Sequence, residues 1–485
     1  MPGPLSHLTV LDLSRVLAGP WCTQLLADLG ATVIKIERPG SGDDTRAWGP
    51  PYLKDAQGRD DTTEAAYYLA CNRGKLSVAV DFTTAEGRDI VLALARQADV
   101  LVENYKVGGL AKYRLDYASV AEVNPRLVYC SITGFGQNGP YAERAGYDFI
   151  IQAMSGFMSV TGERDDLPGG GPQKAGIAIT DLMTGMYATV AIQAALAQRE
   201  RTGAGQWIDA CLFDSAVAMM ATLNLNYLVT GVAPKRAGNA HQNIVPYQTF
   251  AVADGHVILA IGNDSQFAKF CDVAGRPEWA RDPRYAQNAE RVRRRAEIVP
   301  LIAEVMRTRT QHEWLDALEA VAVPCGPINT LDQVFADPQA RSRGLRFDLP
   351  HALAGTVPQV RTPLVFGATP LASDRPPPLL GEHTTEVLSE RLGFDAAKLA
   401  ALAAVGVVGV RYGATYGVGA RQRSSSTNSN DVQTKSICCS SGSFIRMRRS
   451  GRVDSIFMTR PGAYSLAGSS SVLIGMRGHA ALSGR

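Results

Sequence analysis

The chain has 485 residues, 46% of them hydrophobic and 20% charged, with a formal net charge of +3. That length accommodates roughly two to three domains around sizeable cores. No apolar run approaches the ~20 residues of a membrane span, and Met1-Pro2-Gly3-Pro4 lacks the basic stretch and apolar core of a secretory signal, so the expected location is the cytoplasm, with no membrane partner.

In chain order, Leu8–Leu13 reads as a buried strand, Trp21–Leu29 as a helix and Ala31–Glu37 as a second strand. Ser77–Val80, Val100–Glu103 and Leu127–Ile132 read as further strands, with a helix over Thr84–Gln97. Such alternation predicts an α/β fold with a doubly wound parallel sheet, whose ligands sit beyond the carboxyl ends of strands. Leu182–Arg199 is the longest helical pattern and stops at Thr202-Gly203-Ala204-Gly205. Gly231, Pro234, Gly238 and Pro246 then break the pattern before a strand-like His256–Ile261. The expected division is a large α/β domain over 1–226, a small α+β domain over 227–327, a return segment over 328–408 that completes the first domain, and a tail over 409–485.

The tail carries ten Arg and one Lys against two Asp and no Glu, a net +9 that leaves residues 1–408 at −6. It is rich in Ser and poor in apolar periodicity, so it is expected to be disordered or foreign to the fold rather than a nucleic-acid arm. The eight cysteines show neither metal-ligand spacing nor a disulfide framework, and the six single ones read as reduced core thiols.

The turn after the first strand, Arg15-Val16-Leu17-Ala18-Gly19-Pro20, is not G-x-G-x-x-G, and no Walker pattern occurs. Ordinary dinucleotide or nucleoside-triphosphate chemistry is therefore disfavoured. Arg38 follows a strand's carboxyl end, where a guanidinium can stack on a base or hold a phosphate, although a plain surface Arg is the simpler reading of that residue alone. Arg291-Val292-Arg293-Arg294-Arg295 reads most simply as a solvated helix face, with an intersubunit contact as the alternative. No His lies between Leu8 and Ala240, so a His-based triad or metal cluster in that half would have to borrow from elsewhere. A carboxylate nucleophile needs no His. Asp181, after the apolar run Ile177-Ala178-Ile179-Thr180, stands where the long helix opens. There Thr180 or Asp181 is a cap worth roughly 1 kcal/mol, or Asp181 is a reagent kept ionised by backbone N–H groups and the helix dipole. Local sequence leaves both open.

Several separate motifs occur in order: Val10-Leu11-Asp12-Leu13-Ser14-Arg15-Val16-Leu17-Ala18-Gly19-Pro20, Val33-Ile34-Lys35-Ile36-Glu37-Arg38-Pro39-Gly40, Val102-Glu103-Asn104-Tyr105, Gly146-Tyr147-Asp148, Thr180-Asp181, Pro324-Cys325-Gly326-Pro327 and Leu380-Gly381-Glu382-His383-Thr384. Over residues 5–408 they resemble the class III CoA-transferases, the CaiB/BaiF family that includes formyl-CoA and carnitine CoA-transferases. The segments 43–51, 241–248 and 375–380 are most similar to the succinate/glutarate (hydroxymethylglutarate) branch.

The resemblance implies a Rossmann-like large domain and a smaller one in an interlaced, ring-like homodimer. The substrates would be an acyl-CoA, with succinyl-CoA as donor, and a free dicarboxylate such as glutarate or hydroxymethylglutarate; no tightly bound cofactor, metal or nucleic acid is implied. Asp181 matches the family's catalytic aspartate and would work through anhydride and aspartyl-CoA thioester intermediates. Contacts to CoA carry over to Val16, Leu17, Ala18, Arg38, Val80, Asp81, Phe82, Asn104, Tyr105, Tyr147 and Asp148. Thr83 and Lys112 stand where formyl-CoA transferases have Lys and Arg, so the first loses a charge and the second keeps the charge but loses the planar fork. Gly238-Asn239-Ala240-His241-Gln242 replaces the formyl-type glycine run, which argues against formate or oxalate. Arg46, His241 and Tyr247 are expected to hold the acid's distal carboxylate, Arg46 as a bidentate donor; pairing of Arg46 with Asp43 or Asp44 is the competing reading.

A 2-methylacyl-CoA racemase of the same fold would have a His at the position of Tyr147. A phenol of reference pKa roughly 10, against roughly 6.5 for His, is a poor base near neutrality. An inactive acyl-CoA-binding protein would tolerate loss of Asp181, which is present in its full motif.

Overall fold

Residues along each expected strand alternate between two apolar sets, and the computed structural model of the chain places those sets on opposite faces of one sheet. It describes residues 3–369, 371, 374–410, 434–438 and 444–448. Strands β1 (Thr9–Asp12), β2 (Thr32–Glu37), β3 (Lys75–Val80), β4 (Val100–Glu103), β5 (Val128–Thr133) and β6 (Trp207–Cys211) run parallel in the order β3-β2-β1-β4-β5-β6. Val408–Gly409 adds an antiparallel strand outside β3.

With the strand period of two, Val10, Val33, Val100 and Val128 pack on one face with Leu26, Ala188 and Ile192. Leu11, Ile34, Leu76 and Leu101 pack on the other with Ile90, Leu94 and Leu388. Helices Ala18–Asp28 and Ile179–Thr202 cover the first face, and Ala85–Ala95 and Thr384–Leu392 the second. Each fully buried Leu, Ile or Val stabilises the sandwich by about 1.5–3 kcal/mol. The predicted parallel sheet is present. The long helix, expected from Leu182, begins at Ile179, and β6 was not anticipated: Trp207-Ile208-Asp209-Ala210-Cys211 mixes polar and apolar residues instead of forming a continuous apolar run.

The same alternation puts Asp12, Lys35 and Lys75 on the face of Val10 and Val33, where they are wholly buried. Lys75 Nζ donates to Asp12 Oδ2 (3.1 Å), Pro20 O and Asn72 Oδ1, and Lys35 Nζ donates to Asp43 Oδ2 (2.9 Å) and Ser14 O. Each ion has both a counter-charge and further hydrogen bonds, the condition under which buried charges persist.

A separate buried cluster runs from Val245 to Val323 around Phe250, Phe267, Phe270 and Trp314. Its antiparallel sheet pairs Tyr247–Ala251 with His256–Ala260, and the latter with Cys325–Pro327. Arg291 is inside this cluster, donating to Val245 O, Tyr285 O and Asp264 Oδ1 over the Phe267 ring. The expected solvated face is thus corrected at Arg291, while Arg293 stays exposed.

The chain divides into two units, Met1–Ala414 and Thr415–Arg485. In the second, Thr434–Cys438 and Phe444–Arg448 pair antiparallel; most of the tail expected to be disordered or foreign to the fold lies outside the described residues. Among the described residues no single helix is long and apolar enough to cross a membrane, and Cys22, Cys71, Cys130, Cys211, Cys271 and Cys325 are free thiols.

Candidate active site

The strand order reverses between β1 and β4, and in open α/β sheets the crevice beyond the carboxyl ends at such a reversal is where ligands bind. Two loops meet there. Asn104, just after β4, takes both backbone groups of Arg15, its Oδ1 accepting the N–H at 2.8 Å and its Nδ2 donating to the C=O at 2.6 Å. Glu103 accepts the Tyr105 N–H at 2.8 Å. Over this clamp lie two cavities of about 190 and 520 Å³ that share Arg15, Tyr105 and Lys106.

Val16, Leu17, Ala18, Asn104, Tyr147 and Asp181 line the smaller cavity. Arg38, Val80, Asp81, Phe82, Thr83 and Lys112 line the larger. Arg15, Arg38, Lys106 and Lys112 line the larger cavity together with Glu37, Asp43, Asp44 and Asp81, Arg15 being paired with Asp44 at 2.7 Å, and Phe82 meets Tyr105 and Tyr113 edge-on at 5.7 and 5.5 Å. Cations beside an aromatic wall suit an anionic ligand that carries a flat ring. Thr83 has a local duty as well: its hydroxyl and N–H both donate to Asp81 Oδ1, at 2.6 and 3.0 Å. Sequence reasoning missed Arg15 and Lys106 as site residues, although Arg15 lies inside one motif and Lys106 directly follows another, each at a strand's carboxyl end, where ligand cations are to be sought.

Asp181 is the third residue of Ile179–Thr202, and neither it nor Thr180 caps that helix; the N-cap is Ala178, without a side-chain bond. Thr180 instead donates its N–H (2.8 Å) and hydroxyl (2.6 Å) to Asp148 Oδ1, while Asp148 Oδ2 accepts from Gln152 Nε2 at 2.6 Å. Asp148, expected at CoA, therefore orders the start of the Asp181 helix and lines neither cavity. Four residues on, Gly185 lies against the first turn of Ala18–Asp28, where a Cβ would stand 2.6 Å from Ala18 O. Its missing side chain lets Asp181 approach the Val16–Ala18 wall.

Burial pushes the Asp181 carboxyl up to about 7, and the negative charge of Asp148 adds to the rise. This corrects the expectation of a carboxylate held fully ionised at neutral pH. Among the described residues no hydrogen bond reaches its oxygens, and the helix start alone does not offset desolvation.

The three acid-binding candidates do not converge. Arg46 is occupied: it donates to both oxygens of Glu37 at 2.8 Å, to Glu64 at 3.3 Å and to Pro378 O at 3.1 Å, with Tyr68 under its guanidinium. It is removed from the candidates, and its partners are not Asp43 or Asp44 either. His241 and Tyr247 do pack together, ring centroids 5.3 Å apart, but neither lines the Asp181 cavity of its own chain.

Residues 5–384 match the profile of CoA-transferase family III. The chain belongs to that family. The transferase is 52% identical over 387 residues to a succinate–glutarate CoA-transferase of Agrobacterium fabrum, covering 80% of this chain and 95% of the relative. It is 43% identical over 405 residues to the human succinyl-CoA:glutarate CoA-transferase, covering 84% of this chain and 90% of that one. Among solved structures, a CAIB/BAIF family protein from Brucella suis superposes with a TM-score of 0.71 at 50% identity, over 81% of this chain and all of that one. Both cavities of the transferase fall within the matched residues, and its substrates include CoA thioesters.

Proposed function

We propose that the transferase moves CoA from succinyl-CoA to glutarate or a closely related dicarboxylate, with Asp181 as covalent nucleophile and the two cavities as one CoA groove. One observation carries this reading: Asp181 lines a cavity that continues, through Arg15, Tyr105 and Lys106, into one where Arg38 and Lys112 stand beside the Phe82 and Tyr113 rings. The two glutarate-named relatives support the choice of acids.

The Asp181 carboxylate attacks the succinyl thioester carbonyl, forming a mixed anhydride and releasing CoA thiolate. Attack of the thiolate on the aspartyl carbonyl frees succinate and leaves an aspartyl-CoA thioester. A glutarate carboxylate attacks that thioester, giving a second anhydride and thiolate again. Return of the thiolate to the glutaryl carbonyl releases glutaryl-CoA and restores Asp181. Partial burial serves this sequence, because a partly desolvated carboxylate is a better nucleophile.

The proposed assembly is an interlaced homodimer of Rossmann-like chains. The β3-β2-β1-β4-β5-β6 order supports the Rossmann-like description. Apolar residues left bare on Ile179–Thr202 and Thr222–Thr230, with Val190 64%, Leu228 70% and Val229 80% exposed, support burial against a second copy. That neither His241 nor Tyr247 lines the Asp181 cavity of its own chain fits a site completed by that copy.

With succinyl-CoA as donor and a panel of free acids, glutarate and hydroxymethylglutarate are expected to yield new CoA thioesters. Failure of both while monocarboxylates react overturns the acid assignment. Asp181→Ala is expected to abolish transfer and retain CoA binding; unchanged transfer overturns the nucleophile.

A further inference from the structure

The turn between β1 and Ala18–Asp28 holds a β-branched residue where one rarely stands. Val16 has φ 71°, in the left-handed region; the other non-glycine residues with positive φ among those described are Arg114, Ala221 and Ala322. A β-branched side chain there is an outlier that persists only when its surroundings over-determine it.

The surroundings do so. Ser14 N–H donates to Asp12 Oδ1, and Ser14 C=O accepts from Lys35 Nζ at 2.8 Å. Asn104 takes both backbone groups of Arg15. Val16 N–H donates to Asp43 Oδ1 at 3.2 Å, and its C=O faces Cys71 Sγ at 3.7 Å. Every backbone polar group from Ser14 to Val16 is thus claimed by a side chain. Asp43 is itself fixed: Oδ1 also accepts the Thr45 N–H and hydroxyl, and Oδ2 accepts Lys35 Nζ at 2.9 Å, with both side chains of that ion pair wholly buried.

We infer that Asp43, anchored by Lys35, is a positioning residue for the transfer reaction: it holds the left-handed backbone of Val16, and thereby the Val16–Ala18 wall, against the Asp181 cavity. The anchor serves Ser14 and Val16 together, since Lys35 bonds the carbonyl of one and the carboxylate that holds the other. Burial alone would raise the Asp43 carboxyl, but Lys35 and Thr45 outweigh it and hold it down to about 2, so the anchor stays charged wherever the enzyme works. The inference rests on Asp181 as the reacting group.

The test is a double-mutant comparison in the full chain. Val16→Gly lowers activity through its own lost contact but adopts positive φ freely, so it supplies a background that needs no anchor. Asp43→Asn is expected to lower kcat at least tenfold in the parent chain and threefold or less in the Val16→Gly background, with CoA affinity by calorimetry changing less than kcat. Equal losses in the two backgrounds, or no loss in the first, overturn the inference. If Asp43→Asn does not fold, Lys35→Met/Asp43→Asn removes both charges together and avoids a buried unpaired ammonium; the same comparison and outcomes apply. Asp181→Ala that still transfers CoA would instead defeat the reading of the nucleophile, whatever the anchor does.

Discussion

Only the ionised form of Asp181 can attack a thioester, and its carboxyl lies at about 7. At fixed low substrate, kcat/KM is therefore expected to rise with pH through about 7; a profile flat from pH 5 to 8 contradicts this. Stability runs the other way. Between the ordinary value of 3.8 and about 7 the folded chain keeps a proton that the unfolded chain has lost, so stability falls as pH rises across that window. Asp181→Asn removes the fall, and its Tm advantage over the parent is expected to be greatest above pH 7 and to vanish near pH 4. Asp148→Asn deletes the neighbouring negative charge while keeping an acceptor for Thr180, and is expected to shift the midpoint of the rate profile to lower pH. An unmoved midpoint would mean that burial alone sets the Asp181 carboxyl.

Helix Ile179–Thr202 matters through its fit as much as through Asp181. Gly185→Ala would place a Cβ 2.6 Å from Ala18 O, so one helix must move. Overpacking of this kind costs about 1–3 kcal/mol, and transfer is expected to fall by more than the melting curve alone explains. Sequence showed most of the sheet, because β1 to β5 are apolar runs bounded by turns, and it showed the loops at their carboxyl ends where both cavities lie. It could not show which polar residues face each other. Asp148 meets Thr180 across 32 positions, and Arg46 meets Glu37 and Glu64 across 9 and 18. An acid or Arg in a motif reads as a ligand contact until such a partner appears. Arg291 misled for the same reason: four Arg in a run look solvated unless the third dimension turns one of them inward.

At the scale of the molecule, the family match ends at residue 384, yet the core does not. Leu399, Val407 and Val408 are buried in it, and Val408 and Gly409 pair with Val80 and Ala79 of β3. A chain ending at Ala414 is expected to retain its circular dichroism spectrum and transfer activity, whereas one ending at Gly393 should lose both. Loss of activity in the longer form would give residues 415–485 a part in the enzyme.

The buried ions of the sheet constrain how the protein can be recombined. Lys75 meets Asp12 across 63 positions, and Lys35 meets Asp43 within a neighbouring loop, all in space that water does not enter. A chimera whose junction falls between Asp43 and Lys75 inherits Asp12, Lys35 and Asp43 from one parent and Lys75 from the other. Such a junction is tolerated only when both parents carry the same charges, so residues 12–75 should be transplanted between relatives as one block.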